Sequence, residues 1–215
     1  MNNIKKLSTI ILMSLVLFAC TKQDQAIEQI DMFIASQTID KTKGDWKQNL
    51  KIPPLLVFSD NSQYLWKMKT NKGNILIELK HKESPMHVSS TIYLTQLGFY
   101  DNIVFHRIIP GFMAQGGDPL GMGAGGPGYE YNGEFESSLS HTKPGMLSMA
   151  NRGAGTDGSQ FFLTFKETAY LDGRHTIFGE VIEGFETLKL LETFGSRNGK
   201  TKEKIEILQA TIEVK

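Results

Sequence analysis

The most informative stretch of this sequence is Phe105-His106-Arg107-Ile108-Ile109-Pro110-Gly111-Phe112-Met113-Ala114-Gln115-Gly116-Gly117-Asp118. It combines a cation, polar side chains and several large apolar side chains in fourteen residues. Arg107 and Gln115 flank Phe112 and Met113, which predicts an apolar pocket with directed hydrogen-bonding groups at its edge.

The residues around this stretch predict a mainly β domain with two helices. Tyr64–Thr70 and residues 74–79 alternate as two strands, with Asn-Lys-Gly as the turn between them. Ser84 and Pro85 predict a helix start, with serine as the N-cap and proline at the first helical position. Residues 185–191 have the spacing of a second short helix. Residues 205–208 and 210–214 predict a closing strand pair, or one strand with a bulge. Composition alone leaves a barrel and a sandwich equally open.

Five further blocks, taken with residues 105–118, extend the pattern along most of the chain. They are residues 98–101 (Gly-Phe-Tyr-Asp), 145–151, 158–162, 171–179 and 194–201. In this order the blocks resemble the cyclophilin family of peptidyl-prolyl cis–trans isomerases, and the resemblance runs from about Met68 to Val214. It implies a closed eight-stranded antiparallel β-barrel capped by two α-helices.

The resemblance also implies roles for individual residues. It assigns catalysis to Arg107, Gln115 and Asn151, with the arginine as the central group and Asn151 acting through its main chain. It assigns substrate binding to His106, Phe112, Met113, Ala150, Gln160, Phe162, Tyr170, Leu171 and His175. Phe105 and Phe161 alternate with these side chains and are expected to point into the core. Tyr170 stands where family members sensitive to cyclosporin carry tryptophan, so weak cyclosporin binding is expected.

The implied reaction is rotation about the peptide bond before proline. This rotation makes and breaks no covalent bond, so neither cofactor nor metal is expected. His106 and His175 have no third ligand at a useful spacing, which also argues against a metal site. Proline-containing polypeptides are the expected partners, and a monomer is the expected state. An alternative is a proline-peptide-binding chaperone or scaffold module in which isomerisation is incidental.

Bulk composition excludes some classes of protein. Lys plus Arg equals Asp plus Glu at 23 each, so no overall charge favours nucleic acid as a partner. The single cysteine, Cys20, rules out an internal disulfide bond. The 21 glycines cluster in the middle of the chain, where they predict structured loops with unusual backbone angles.

The N-terminus has the features of an export signal. Lys5 and Lys6 precede a mostly apolar run over residues 7–19, which is too short for a comfortable membrane-spanning helix. Residues 17–20 (Leu-Phe-Ala-Cys) resemble a bacterial lipobox, in which Cys20 is acylated and becomes the mature N-terminus. Plain secretion with an incidental cysteine and an uncleaved anchor are the alternatives.

These observations divide the chain into three parts. Residues 1–19 are predicted to be a lipoprotein signal peptide, residues 20–63 a lipidated N-terminus with a tether or extension, and residues 64–215 the isomerase domain. Apolar islands and Trp46 indicate that some of the extension packs on that domain. The expected location is the bacterial cell envelope, at the periplasmic face or the outer membrane, where the protein would assist folding of exported proteins.

Overall fold

The computed structural model describes residues 23–215, so the predicted signal peptide and Cys20 lie outside the described residues. Within this range the chain forms three α-helices and nine β-strands. The helices are α1 Gln25–Ala35, α2 Pro85–Gln96 and α3 Phe185–Thr193. The strands are β1 Tyr64–Thr70, β2 Gly73–Leu79, β3 Ile103–Val104, β4 Arg107–Ile109, β5 Met113–Gly116, β6 Met146–Met149, β7 Phe161–Thr164, β8 Ile177–Glu183 and β9 Glu206–Val214.

The described strands form one curled antiparallel sheet in the order β3-β9-β1-β2-β8-β6-β7-β5-β4. The prediction of a closed eight-stranded barrel is therefore only partly confirmed. The sheet has nine strands, and the first and last strands in its order are not hydrogen-bonded to each other. The two end strands, β3 and β4, are consecutive in the chain and are joined only by Phe105 and His106. Val104 pairs with β9 and Arg107 with β5, so the chain itself bridges the ends of the sheet.

The predicted hairpin of β1 and β2 is confirmed. Trp66 faces Ile77 and Met68 faces Ile75 across the pair, and all four side chains are buried. Alternation of these apolar residues with exposed lysines fixes the register, because a slip of one residue would turn the lysines into the core. The hairpin thus forms one wall of the core.

Helix α2 begins at Pro85 as predicted, but its N-terminus is capped differently. The Ser84 hydroxyl donates to the carbonyl of Ile177 at 2.7 Å and does not cap the helix. The Glu134 carboxylate instead accepts from the backbone N–H groups of Met86 and His87, at 3.0 and 3.1 Å. A loop residue distant in sequence therefore supplies the acceptor that the first helical turn needs.

The His87 side chain binds the same loop from inside the fold. Its ring is buried, with Nδ1 2.6 Å from Glu134 and Nε2 2.9 Å from Asp157. Burial alone would lower the pKa of His87, but the hydrogen bonds and charges of the two carboxylates outweigh it and raise the pKa. The two carboxylates favour the charged form of His87, and their contacts with its ring link the loops at residues 134 and 157 to α2.

The C-terminal elements follow the sequence pattern. Helix α3 covers the predicted short helix and buries Leu188 and Leu191. The closing segment is a single strand, β9, whose register against β1 shifts between Lys69 and Thr70. This is the second of the two predicted forms, one strand with a bulge.

Residues 24–58 pack on the domain and do not form a free tether. The Asp24 carboxylate caps α1 by accepting from the N–H of Ala26 at 3.0 Å, and Tyr64 donates to it from β1. Ala26 and Ile30 are fully buried against the main core, joined by Leu50. The extension is therefore part of the folded body. None of the helices described is long and apolar enough to span a bilayer.

Candidate active site

Antiparallel pairing of β4 with β5 places Arg107 directly opposite Gln115. The Arg107 Nη1 donates to Gln115 Oε1 at 3.1 Å, and Gln115 Nε2 donates to Gln160 Oε1 at 3.0 Å. Gln160 Nε2 in turn donates to the carbonyl of Gly125 at 2.9 Å. This chain of hydrogen bonds, the Arg107–Gly125 relay, holds the guanidinium in one orientation.

A cluster of apolar side chains, the apolar pocket, lies beside the guanidinium. Met113, Phe162 and Leu171 form a buried cluster separate from the main core, and Ile109, Phe112 and Ala150 pack on it while partly exposed. The Arg107 Cζ is 6.0 Å from the Phe112 ring centroid, and its Nη1 is 3.9 Å from the Met113 sulfur. A fixed positive charge thus stands at the edge of this apolar cluster.

The two predicted pocket histidines differ in their surroundings. His175 packs edge-on against Phe162 at 5.4 Å, and its Nδ1 lies 2.9 Å from the carbonyl of Met149. His106 is half-buried, and neither of its ring nitrogens finds a hydrogen-bond partner among the described residues. Burial lowers the pKa of His106, the charge of Asp118 partly opposes this, and His106 is therefore neutral near pH 7.

Tyr170 and Asn151 lie at the margins of the pocket. Tyr170 is 64% exposed, and its ring centroid is 6.2 Å from that of Phe112, so it forms an outer rim. The Asn151 Nδ2 donates to the carbonyl of Arg174 at 3.0 Å. That bond fixes the side chain, and Asn151 also lines the adjoining groove.

Residues 65–212 match the family model described as cyclophilin type peptidyl-prolyl cis-trans isomerase/CLD. The chain belongs to the cyclophilin family. A peptidyl-prolyl cis–trans isomerase of Dictyostelium discoideum is 43% identical over 147 residues, which cover 67% of this chain and 94% of that one. Isomerase B of Streptomyces anulatus is 50% identical over 129 residues, covering 53% and 74%.

Solved structures agree with this assignment. A cyclophilin-type isomerase of Cryptosporidium parvum, determined in the presence of the dipeptide Ala-Pro, superposes with a TM-score of 0.67 at 36% identity. The match covers 69% of this chain and 98% of that protein. The cyclophilin described here is a peptidyl-prolyl cis–trans isomerase.

A buried array behind Phe162 was not foreseen as part of the site of this cyclophilin. The His141 ring stacks on Phe162 at 6.3 Å and 10°, with Nδ1 2.6 Å from Asp172 and Nε2 2.7 Å from the Ser148 hydroxyl. The order Ser–His–Asp is that of a hydrolase triad, but Ser148 is fully buried and no substrate can reach it. Burial lowers the pKa of His141 against the pull of Asp172. The array supports the pocket floor.

Gly199 is a second residue of the site that sequence reasoning missed. It adopts a φ of +85°, and a Cβ there would lie 2.7 Å from the Arg107 Cγ. Its carbonyl accepts from the N–H of Ile108 at 2.9 Å. The turn at residues 196–199 therefore packs on the aliphatic stem of the arginine, which a larger residue would displace. The only signal in the sequence was the block at residues 194–201.

A polar groove adjoins the apolar pocket of this cyclophilin. It encloses about 490 Å³ and shares Gln115, Ala150 and Gln160 with the pocket side of the site. Its other walls are residues 123–130 and parts of 151–159, and Gln48 of the extension lines it as well. Arg152 and Glu130 also line it, and they form an ion pair at 2.6 Å. In residues 23–215 no three His, Cys, Asp or Glu side chains are grouped to hold a metal ion.

Proposed function

We propose that Arg107 is the central catalytic group of the isomerisation and that the apolar pocket receives the proline ring. The barrier to rotation, about 18–20 kcal/mol, comes from partial double-bond character in the C–N bond. When the bond is twisted, the proline nitrogen regains its lone pair and becomes a hydrogen-bond acceptor. A guanidinium fixed beside the ring stabilises this state and not the planar ones.

The apolar pocket accounts for binding and not for rate. The cis and trans isomers of an X–Pro segment bury the proline ring to a similar extent. Contact of the ring with Met113, Phe162 and Leu171 would therefore stabilise both isomers and the twisted state alike. The rate enhancement must come from polar groups whose interactions strengthen only as the bond twists.

The required stabilisation exceeds what one hydrogen bond supplies. Raising the rate from about 10⁻² to about 10³ s⁻¹ requires a barrier lower by roughly 7 kcal/mol. A charge-assisted hydrogen bond from Arg107 contributes about 1.5–3 kcal/mol. We assign the remainder to preorganised contacts of Gln115 and the main chain of Asn151, which hold one side of the substrate while the other rotates.

The observation that carries this proposal is the fixed position of the guanidinium beside the pocket. Exchange spectroscopy by NMR on an Ala-Pro peptide tests it directly, because both isomers are observed without a coupling enzyme. The full chain should accelerate exchange at substoichiometric concentration, and a chain without Arg107 should not do so efficiently. Equal exchange rates with and without the protein would reject the proposal.

A second candidate function is capture of extended proline-containing segments, with isomerisation incidental. The polar groove supports it, because a site of about 490 Å³ beside the pocket can hold more of a polypeptide than the proline. Suppression of client aggregation by wild type and Arg107→Ala separates the two functions. Equal suppression would favour capture, whereas loss in the variant would favour catalysis.

We further propose that the chain is a lipoprotein of the bacterial cell envelope, acylated on Cys20, where it assists folding of exported proteins as a monomer. The lysines, the apolar run and the lipobox-like residues 17–20 support this. Only residues 21–23 separate Cys20 from the cap of α1, so an acylated chain would sit close to the membrane surface. Incorporation of labelled palmitate in a bacterial host should be lost in Cys20→Ser. Labelling that persists would reject acylation at this residue.

The exposed Tyr170 supports a proposal of weak cyclosporin binding. Its phenol lacks the indole N–H and some of the apolar area of tryptophan. Tyr170→Trp should therefore tighten inhibition of the isomerase reaction by cyclosporin. Identical inhibition of wild type and Tyr170→Trp would show that Tyr170 does not weaken cyclosporin binding.

A further inference from the structure

One wall of the polar groove comes from outside the residues that match the family model. The match begins at residue 65, whereas Gln48 belongs to the N-terminal extension. Gln48 ends a short 3₁₀ turn, Trp46–Gln48, and is half-buried at the groove. The extension therefore adds a residue to the wall of the groove.

The extension is held at the groove by close backbone contact. The N–H of Leu50 donates to the carbonyl of Pro127 at 2.9 Å, and the Leu50 side chain is buried in the main core. Gly128 has a φ of +95°, and a Cβ at this residue would lie 2.4 Å from the carbonyl oxygen of Gln48. Only glycine permits this approach, so the groove wall and the extension fit each other without a gap.

The side chain of Gln48 remains available to a ligand, unlike those of its neighbours. Lys47 Nζ donates to the carbonyl of Asp101 at 3.0 Å, and Asn49 Nδ2 donates to the carbonyl of Asp45 at 3.0 Å. The Gln48 amide makes no hydrogen bond to any residue that the structure describes. It retains both a donor and an acceptor at the lining of the groove.

We infer that Gln48 is a specificity-determining residue that selects substrates carrying an amide or hydroxyl side chain near the proline. The inference rests on the proposed function, in which the proline ring occupies the adjoining pocket. Ala150 packs on the apolar pocket and also lines the groove, which Gln115 and Gln160 of the relay line as well, and an extended chain advances about 3.3–3.6 Å per residue. The groove therefore receives a substrate side chain within two or three residues of the proline.

Matched peptides test this inference with the full chain. Each pair contains Ala-Pro and differs only in carrying Gln or Leu at one position, one or two residues before that dipeptide or one to three residues after it. For each pair the ratio of kcat/KM and the ratio of dissociation constants are measured. Wild type should favour the Gln peptide at one position. Gln48→Leu and Gln48→Ala should reduce that preference roughly threefold to tenfold, the range that one neutral hydrogen bond provides, mainly through KM.

Gln25→Leu serves as the matched control, because Gln25 is an exposed amide of the same extension outside the groove, and it should keep the wild-type ratio. No preference in wild type, or an unchanged ratio in both Gln48 variants, would overturn the inference. Equal loss on both peptides would overturn it as well, since it would mean a packing role. If the protein fails to accelerate exchange at all, the proposed function fails, and the ratio of dissociation constants still decides the role of Gln48.

Discussion

Replacing Arg107 with alanine should slow the isomerase reaction while leaving the fold intact. The side chain is half-buried at the pocket rim and makes one hydrogen bond to Gln115, with the Met113 sulfur at 3.9 Å. Removing the Arg107 side chain opens the pocket edge to water, and water can then donate to Gln115 Oε1 in its place. The melting temperature of Arg107→Ala should therefore stay close to that of wild type.

The magnitude follows from what the guanidinium contributes in the twisted state. A hydrogen bond from a charged donor is worth about 1.5–3 kcal/mol, which corresponds to roughly a 10- to 150-fold loss in kcat/KM. The loss should fall on kcat, because the proline nitrogen accepts the hydrogen bond only when the bond is twisted. Peptide affinity should change little, since the apolar pocket of Met113, Phe162 and Leu171 is retained.

The measurement is exchange spectroscopy on an Ala-Pro peptide at several peptide concentrations, which separates kcat from KM. Lys189→Ala is the control, because it removes an exposed cation of α3 outside the site and should retain wild-type kinetics. A variant at Arg107 that folds normally and loses less than about threefold in kcat/KM would refute the assignment. A loss confined to KM would show that Arg107 binds the planar substrate and does not stabilise the twist.

Three further predictions concern the groups that hold the site and the loops. Gln115→Leu removes the acceptor that orients Arg107, so kcat/KM in the exchange assay should fall roughly threefold to tenfold; unchanged kinetics would show that the relay is dispensable. Gly199→Ala places a methyl group against the stem of Arg107 at a residue with a positive φ. The free energy of unfolding, measured with denaturant, should fall by about 1–2 kcal/mol, and turnover should fall as well. Wild-type values for both would contradict the contact. Folding raises the pKa of His87, so protonated His87 stabilises the fold. This contribution to the free energy of unfolding is fully present below the ordinary pKa of about 6.5 and is lost as pH rises through the folded-state pKa. Between those two values the stability of wild type should fall with pH more steeply than that of His87→Gln, and parallel curves would exclude this linkage.

The sequence predicted those elements whose own residues carry a regular pattern. Period-two alternation marked β1 and β2, and Pro85 marked the start of α2. Strands β3 and β4 contain two and three residues, too few for any period, and they form because β9 and β5 supply partners. The way the sheet ends at these strands was therefore invisible in the sequence.

Helix α1 could have been recognised from its own residues. Ala26, Ile30 and Phe33 recur at helical spacing after Asp24, a residue that often caps helices. What no local pattern could indicate is its partner, because the buried face contacts residues of the distant domain. An isolated amphipathic helix of eleven residues is marginal in water, so this packing is what makes it stable.

The site was predictable to the extent that it follows from strand pairing and family likeness. Arg107 and Gln115 lie on adjacent strands of a hairpin, where opposite residues meet. Placing His141 behind Phe162 or Gly199 on Arg107 requires contacts between segments far apart in the chain. Gln48 is the extreme case, since it belongs to a segment without family likeness.

The loop at residues 125–128 joins two functions that the structure keeps separate. At one end the carbonyl of Gly125 terminates the Arg107–Gly125 relay, and at the other end Pro127 and Gly128 contact the extension that carries Gln48. In the proposed mechanism the relay acts on the twisted bond and Gln48 faces a flanking residue, so changes at the two ends of the loop should have different kinetic effects. Loss of the relay should lower kcat on every substrate, whereas loss of Gln48 should change which substrates are preferred. By this reasoning one loop supports both the reaction at Arg107 and the substrate preference that we assign to Gln48.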